Sequence, residues 1–388
     1  MLASGNSSYA QAPAQATAAV RWEPDFRFPG TFFPSYAIAS AGRDPKGPVS
    51  VEHLYGFVNS GSLAVKVLAA PAGTNLKAQV EIPEIGVTGD IETVAPDDGQ
   101  PLTIIPRLSW SQRRLTAINQ PVSSDAVFRL YADGTLVGEE RRPVRIRAIN
   151  DAPLKACKSV EHPERCTDYS PYLAAFVNEG NPAIDGVLRA ALNIPAMPVK
   201  QWTGNQGSEE QTLRQVWAIW YLFQRNKVTY SSVTTVPDQN PGLTSQEVRP
   251  FNQALRTQQA NCIDGTALFA SILRKIGIEP AIILVPGHAF LAFSVNSQNT
   301  KDVFLETTML NDAHNPFNAS GPSKLGESLA NLTGDDIHQR QSWASFKEAL
   351  QVGQAEYNKA APNFGKAPGY KVVSIVKARE AGILPLPL

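Results

Sequence analysis

Three polar residues, each in an otherwise apolar element between positions 258 and 309, constrain this chain most. Cys262 precedes an apolar helical pattern that Gly277 ends. His288 opens an apolar strand after a Pro-Gly turn, and Glu306 falls in the middle of the next strand, VFLETT. Neighbouring antiparallel strands can place an imidazole beside a carboxylate, and a helix packed across them can present a thiol. The segment therefore predicts that Cys262, His288 and Glu306 meet in the fold.

These three side chains suit nucleophilic catalysis. A thiolate can attack a carbonyl, an imidazole can take up and return the proton, and a carboxylate can fix the orientation of the imidazole. Cys262 lies at the start of its predicted helix, where the positive end of the helix dipole favours the thiolate. The pattern predicts Cys262 as nucleophile, His288 as base and Glu306 as the residue that orients the base.

A tetrahedral intermediate also needs hydrogen-bond donors for its oxyanion. The backbone N–H of Cys262 is one natural donor, since it lies at a helix start. Gln246 and Gln259, both upstream of the nucleophile, are candidates for a side-chain donor. We favour Gln246 because the long loop that carries it can fold back over the cleft.

Each of these residues also has a purely structural explanation. Cysteine is among the most buried residue types, and a histidine on an apolar strand can be a hydrogen-bonded core residue. A carboxylate within an apolar strand needs a partner, which for Glu306 is His288. Asp264 is predicted to cap its own helix. Three matching elements in one segment, rather than any single residue, favour the catalytic role.

The same segment resembles the transglutaminase-like family in three motifs that occur in the family's order. NCIDGTALFASILRKIGIEPA resembles its Cys and small-residue-rich helix, GHAFLAF resembles its His-Ala-aromatic strand, and FLETT stands where the family has an Asp followed by Pro-Thr. The resemblance runs from Leu213 to about Thr308. It implies a papain-like domain of the transglutaminase type. The sequence departs from the family at Glu306, whose side chain is longer than that of Asp.

The resemblance implies cysteine-dependent acyl transfer on amides through a thioester acyl-enzyme, with a protein or peptide as substrate. Hydrolysis is expected ahead of crosslinking, as for bacterial members of the family. Protein-glutamine crosslinking and a non-catalytic binding protein with the same fold are the alternatives. The mechanism needs no cofactor. No metal site is expected, because the five His and three Cys show no ligand spacing.

Length bears on the number of domains, and charge and apolar runs bear on the class of partner. A chain of 388 residues exceeds one ordinary core and favours two domains. Lys plus Arg equals Asp plus Glu at 35 each, so charge offers no reason to expect nucleic acid or an anionic membrane as partner. No apolar run approaches the ~20 residues that span a bilayer, so no integral membrane segment is expected. The oligomeric state is not predicted.

The predicted fold class is α+β, in three parts. Residues 1–21 read as a flexible leader, residues 22–150 as a β-sandwich domain, and residues 151–388 as the transglutaminase-like catalytic domain. Within the β part, Asp133-Gly134 predicts a hairpin turn. After it Val144, Ile146 and Ala148 alternate with Arg145 and Arg147, which predicts a strand with one wet face. The segment 150–153 is the predicted linker.

The other two cysteines predict a disulfide. Cys157 and Cys166 lie nine positions apart in a polar stretch, which suits a small closed loop and leaves Cys262 as the single odd thiol. Two reduced thiols in a cytosolic loop are the alternative. No signal peptide is visible in the first residues. Because disulfides follow oxidising compartments, an exported location is favoured over the cytoplasm.

Overall fold

The structure is a computed structural model that describes residues 20–41, 62–97, 99–157, 166–231, 242–311 and 334–388. These residues form a mixed α+β fold with several sheets. The leader predicted for residues 1–21 lies outside the described residues, apart from its last two positions.

Strands predominate in the first part of the chain, and most of the longer helices come later. The first nine strands are β1 (Arg21–Phe26), β2 (Thr31–Phe32), β3 (Leu63–Ala69), β4 (Asn75–Ile82), β5 (Val87–Val94), β6 (Leu102–Ile104), β7 (Arg107–Ser109), β8 (Val122–Ala132) and β9 (Thr135–Ile146). The later strands are β10 (Asp151–Cys157), β11 (Cys166–Asp168), β12 (Thr229–Tyr230), β13 (Leu243–Glu247), β14 (Gln259–Ala260), β15 (Pro280–Val285), β16 (His288–Ser294), β17 (Asp302–Leu305) and β18 (Lys371–Ser374).

The α-helices are α1 (Pro34–Ala39), α2 (Gln112–Thr116), α3 (Ala183–Leu192), α4 (Glu209–Arg225), α5 (Phe251–Thr257), α6 (Cys262–Lys275), α7 (Gly334–Ala360) and α8 (Ile375–Glu380). Short 3₁₀ helices cover Pro83–Ile85, Ser170–Phe176, Thr307–Asn311 and Ala361–Asn363. Within the described ranges, none of the helices has both the length and the apolar composition that crossing a bilayer requires.

The described residues divide into two compact units. The first unit takes its residues from Met1–Arg27, Leu63–Ser111 and Ser124–Val144. It holds one sheet with strand order β1-β3-β6 and a second with order β9-β8-β4-β5-β7. Phe26 of the first sheet meets Phe128 of the second edge to face, with ring centroids 5.3 Å apart. Alternate residues of β4 are buried, as a strand with one core-facing side requires.

The predicted hairpin in this unit is confirmed. Asp133 and Gly134 join β8 to β9, and both have positive φ angles, 47° and 79°. This is the backbone combination that a two-residue type I′ turn needs, which is why Asp-Gly is a strong hairpin signal.

The second unit takes its residues from Phe28–Ser62, Gln112–Ser123 and Arg145–Leu388. Its central feature is an antiparallel sheet with strand order β17-β16-β15-β18. β15 and β16 form a tight hairpin in which Val285 pairs with His288 across Pro286 and Gly287, whose φ is 77°. The hairpin therefore fixes His288 at the first position of β16.

Helices α6 and α7 pack against this sheet, and α4 packs against these two helices. α4 is capped by Ser208 and buries an apolar stripe that includes Trp220, whose ring lies 6.1 Å from that of Phe269 on α6. α7 covers the edge strand β17. There Tyr357 stacks on Phe304 at 3.8 Å between ring centroids, and a Cβ added at Gly353 would lie 2.6 Å from the carbonyl oxygen of Phe304. Only glycine allows the helix to approach the strand so closely.

Three local predictions need correction. β17 ends at Leu305, so Glu306 lies just after the strand and not in its middle. The predicted linker is the start of β10, where Asp151 and Ala152 pair with β13. Arg147, expected on a wet face, is 8% exposed because it forms an ion pair with Asp151. In each case tertiary pairing overrides the local sequence pattern.

Candidate active site

Cys262 is the first residue of α6 and is half-buried. The preceding residue, Asn261, is the N-cap, and its side-chain oxygen accepts a hydrogen bond from the backbone N–H of Asp264 at 2.9 Å. In return the Asp264 carboxylate accepts the backbone N–H of Asn261 at 3.0 Å. This reciprocal capping box fixes the helix start. The thiol therefore lies where unpaired backbone N–H groups and the helix dipole favour negative charge.

His288 connects Cys262 to Glu306. Nε2 of His288 lies 2.6 Å from Oε2 of Glu306, and the Cys262 thiol lies near enough to the imidazole to raise its pKa. Because Nε2 faces the carboxylate, Nδ1 is the ring nitrogen left for the sulfur. The ring stacks on Phe290 two residues along β16, with centroids 6.2 Å apart. A thiol, an imidazole and a carboxylate thus come together at one site, with the imidazole hydrogen-bonded to the carboxylate.

The imidazole of His288 is strongly favoured in its charged form. The interaction with Cys262, and the hydrogen bond and negative charge of Glu306, raise its pKa from 6.5 to about 10 against the opposing effect of burial. At neutral pH the site therefore holds an imidazolium. An imidazole held charged beside a thiol is the arrangement that cysteine nucleophiles use.

Glu306 remains ionised although it is 4% exposed. Burial by itself raises its pKa, but the hydrogen bond and charge of His288 and two hydrogen bonds from Thr308 lower the pKa below the ordinary value. The Thr308 hydroxyl donates to Oε1 at 2.6 Å, and the Thr308 backbone N–H donates to the same oxygen at 3.0 Å. The Glu306 carboxylate thus has a separate partner for each oxygen.

A buried ion pair braces the start of α6. Nη1 of Arg249 lies 2.8 Å from Oδ2 of Asp264, and the Arg249 backbone N–H donates to Oδ1 at 2.7 Å. Burial raises the pKa of Asp264, and the bonds from Asn261 and Arg249 oppose this. Asp264 is therefore a helix-capping residue, as predicted, and it also ties the segment before α5 to α6.

α6 lies close to the 3₁₀ helix that follows Glu306. A Cβ added at Gly265 would lie 3.0 Å from Oγ1 of Thr307. The Thr307 hydroxyl lies 3.5 Å from that of Thr266, which in turn donates to the carbonyl oxygen of Cys262 at 2.7 Å. Gly265, about one turn after Cys262, therefore allows α6 to lie close to the 3₁₀ helix that follows Glu306.

The two glutamines proposed for the oxyanion occupy different positions. Gln246 lies on β13, pairs with Ala152 of β10, and donates its side-chain amide to the carbonyl of Glu247 at 2.7 Å. Gln259 lies on β14 and is exposed. The structure gives neither side chain a hydrogen bond to Cys262. The backbone N–H of Cys262, at the first helical position, needs no acceptor within the helix and is the donor that the fold itself supplies.

Sequence patterns missed two residues of this site. Thr308 has a recognisable signal, because a hydroxyl two residues after a carboxylate can bond to it locally. Arg249 has none, because its contact with Asp264 spans 15 residues and a helix. The predicted disulfide is confirmed: Cys157 and Cys166 are bonded across the paired strands β10 and β11.

Neither the family models nor the curated proteins compared with the chain match it. Among the residues that the structure describes, no cluster of three or more His, Cys, Asp or Glu side chains is arranged to hold a metal ion.

Proposed function

We propose that the protein is a transglutaminase-like cysteine enzyme that cleaves or transfers amides of protein or peptide substrates through a thioester. One observation carries the proposal: the His288 imidazole is hydrogen-bonded to the buried Glu306 carboxylate and has the Cys262 thiol close beside it. A structural cysteine would need neither an imidazolium beside it nor a buried carboxylate behind that imidazolium.

The arrangement can perform acyl transfer with every proton accounted for. The Cys262 thiolate attacks the amide carbonyl, a C–S bond forms, and the oxyanion is stabilised at the helix start. The His288 imidazolium then gives its proton to the leaving nitrogen as the C–N bond breaks, and a thioester remains. Water or an amine next gives a proton to His288 and attacks the thioester, which releases the acyl product and restores the thiolate. Glu306 stabilises the charged imidazole and keeps its orientation.

The fold that we propose for this function has two parts. The two sheets of the first unit, with Phe26 packed on Phe128, suit an N-terminal β-sandwich. The helix-borne Cys262 and the antiparallel sheet that carries His288 suit a papain-like transglutaminase-type domain. The Cys157–Cys166 disulfide favours an exported protein, because such bonds persist in oxidising compartments.

Thiol alkylation tests the activated nucleophile without a known substrate. Cys262 is the single free cysteine of the chain, so iodoacetamide uptake at pH 6 to 7 reports on it alone. We expect wild-type Cys262 to react at least about tenfold faster than free cysteine. The His288→Gln variant should react no faster than free cysteine. A wild-type rate equal to that of free cysteine would leave a non-catalytic binding protein as the better explanation.

Product analysis then separates hydrolysis from crosslinking. The full chain is incubated with a glutamine-containing protein and a fluorescent primary amine, and with a set of peptides. Peptide cleavage that depends on Cys262 supports the hydrolase that we favour. Cys262-dependent amine incorporation without cleavage would instead identify a crosslinking enzyme. The Cys262→Ala variant is the control in both assays.

A further inference from the structure

The Glu306 carboxylate is held from both sides. His288 lies at Oε2, and Thr308 donates to Oε1 twice, from its hydroxyl at 2.6 Å and from its backbone N–H at 3.0 Å. The two donors of Thr308 belong to one residue and converge on a single oxygen. Hydrogen bonds to an ionised carboxylate are roughly twice as strong as neutral ones.

Such a clamp matters more for a glutamate than for an aspartate. Glutamate has one more rotatable bond, so its carboxylate reaches more positions and loses more conformational entropy when it is fixed. Glu306 also lies just past the end of β17, where the strand ladder no longer holds the backbone. A buried carboxylate that could turn away from His288 would leave the imidazolium without its counter-charge.

We propose that Thr308 is the positioning residue of this site: its hydroxyl holds the Glu306 carboxylate against His288. This inference rests on the proposed function, which gives the Glu306–His288 contact its purpose. Thr308 acts through Glu306. It is thereby distinct from its neighbour Thr307, whose hydroxyl faces Thr266 on α6.

The titration of His288 measures this role directly and needs no substrate. The chain has five histidines, so the full-length protein is labelled with ¹⁵N-histidine and titrated by NMR. The His288 signal in the spectrum is assigned by its loss in His288→Gln. Thr308→Val removes the hydroxyl but keeps the backbone N–H and the side-chain shape. We expect the midpoint of the His288 titration to fall by about one pH unit in Thr308→Val. Thr308→Ser, which keeps the hydroxyl, should return it toward the wild-type value.

The matched control is Thr116→Val on α2, where an exposed hydroxyl bonds only to backbone carbonyl groups. This variant should leave the His288 midpoint unchanged. If Thr308→Val does not fold, Thr308→Ala and Thr308→Ser provide the same comparison without the second methyl group. An unchanged midpoint in a folded variant without the Thr308 hydroxyl would overturn the proposal.

Alkylation of Cys262 in the same variants keeps this proposal separate from the proposed function. In Thr308→Val the rate of Cys262 alkylation at pH 6 to 7 should fall, because a less firmly held imidazole activates the thiol less. Should wild-type Cys262 react like free cysteine, the proposed function fails, while the His288 midpoint still reports on Thr308. Suppose instead that wild-type Cys262 is alkylated faster than free cysteine while Thr308→Val changes neither the midpoint of the His288 titration nor the rate of Cys262 alkylation. That result would show that Thr308 is not the positioning residue.

Discussion

His288 and Glu306 are 18 residues apart in sequence, and yet Nε2 of the first lies 2.6 Å from Oε2 of the second. The contact is made between the first residue of β16 and the residue just after β17. In the β16–β17 ladder Leu291 pairs with Leu305, which brings the start of one strand to the end of the other. Antiparallel pairing thus supplies one of the two contacts, with Cys262 the other, that raise the pKa of His288.

Replacement of Glu306 by Gln should slow acyl transfer by about 10²- to 10⁴-fold. Gln keeps the shape of the side chain but loses the charge that stabilises the His288 imidazolium, so the pKa of His288 should fall. The rate of Cys262 alkylation at pH 6 to 7 should fall as well, and it measures the loss of thiol activation without a substrate. Glu279→Gln, which removes a carboxylate paired with Arg274, should react like the wild type. A Glu306→Gln protein with wild-type alkylation would mean that Glu306 does not act on the site.

The stability of the wild type should depend on pH through His288. Its pKa is raised from 6.5 to about 10 in the folded protein, so the stabilisation is complete below pH 6.5 and is lost as pH rises through about 10. Denaturant unfolding with and without His288→Gln at several pH values, both in a Cys262→Ala background so that no thiol titrates in this range, isolates the part of this contribution that Glu306 supplies. The difference in unfolding free energy should shrink steadily between these two pH values. A difference that is constant or grows would contradict a charged His288.

Loss of Arg249 should destabilise the protein by about 3 kcal/mol. The Arg249→Met variant leaves the Asp264 carboxylate, whose side chain is fully buried, without its charged partner. The control on the same helix is Lys275→Met, which breaks the exposed pair with Asp185 and should cost less than about 1 kcal/mol. Chemical unfolding of both variants gives the comparison. Equal losses would show that the buried pair has no special role in holding the start of α6.

Alanine at Gly353 should lower stability by about 1–3 kcal/mol, although alanine favours helices. The added Cβ would lie 2.6 Å from the carbonyl oxygen of Phe304, so α7 would have to move away from β17. That movement would also weaken the bond from the Glu306 backbone N–H to the carbonyl of Ala349, now 3.1 Å. Gly186→Ala on α3 meets nothing within 4 Å and should stabilise by up to about 1 kcal/mol. The melting temperature should fall in Gly353→Ala and rise in Gly186→Ala. A stabilised Gly353→Ala protein would refute the close approach of α7 to β17.

Local patterns predicted the elements of the site well. The cap by Asp264, the Gly277 stop and the Pro-Gly turn before His288 are all short-range signals, and α6 and β16 form where these signals predict them. The Cys157–Cys166 disulfide also followed from cysteine spacing. Patterns failed where a distant partner intervened. The local sequence predicts a linker at Asp151 and Ala152, but both residues pair with β13. It also predicts an exposed Arg147, which instead forms a buried ion pair with Asp151.

The sequence by itself determined which residue types enter the site and which local elements carry them, because helix caps, turns and apolar periodicity act over a few residues. Only the tertiary structure decided the charge on His288, the second anchor of Glu306 and the bracing of α6 by Arg249. Each of these depends on the distance between atoms that are remote in sequence or on burial, and both quantities exist only once the helix and sheet have packed together.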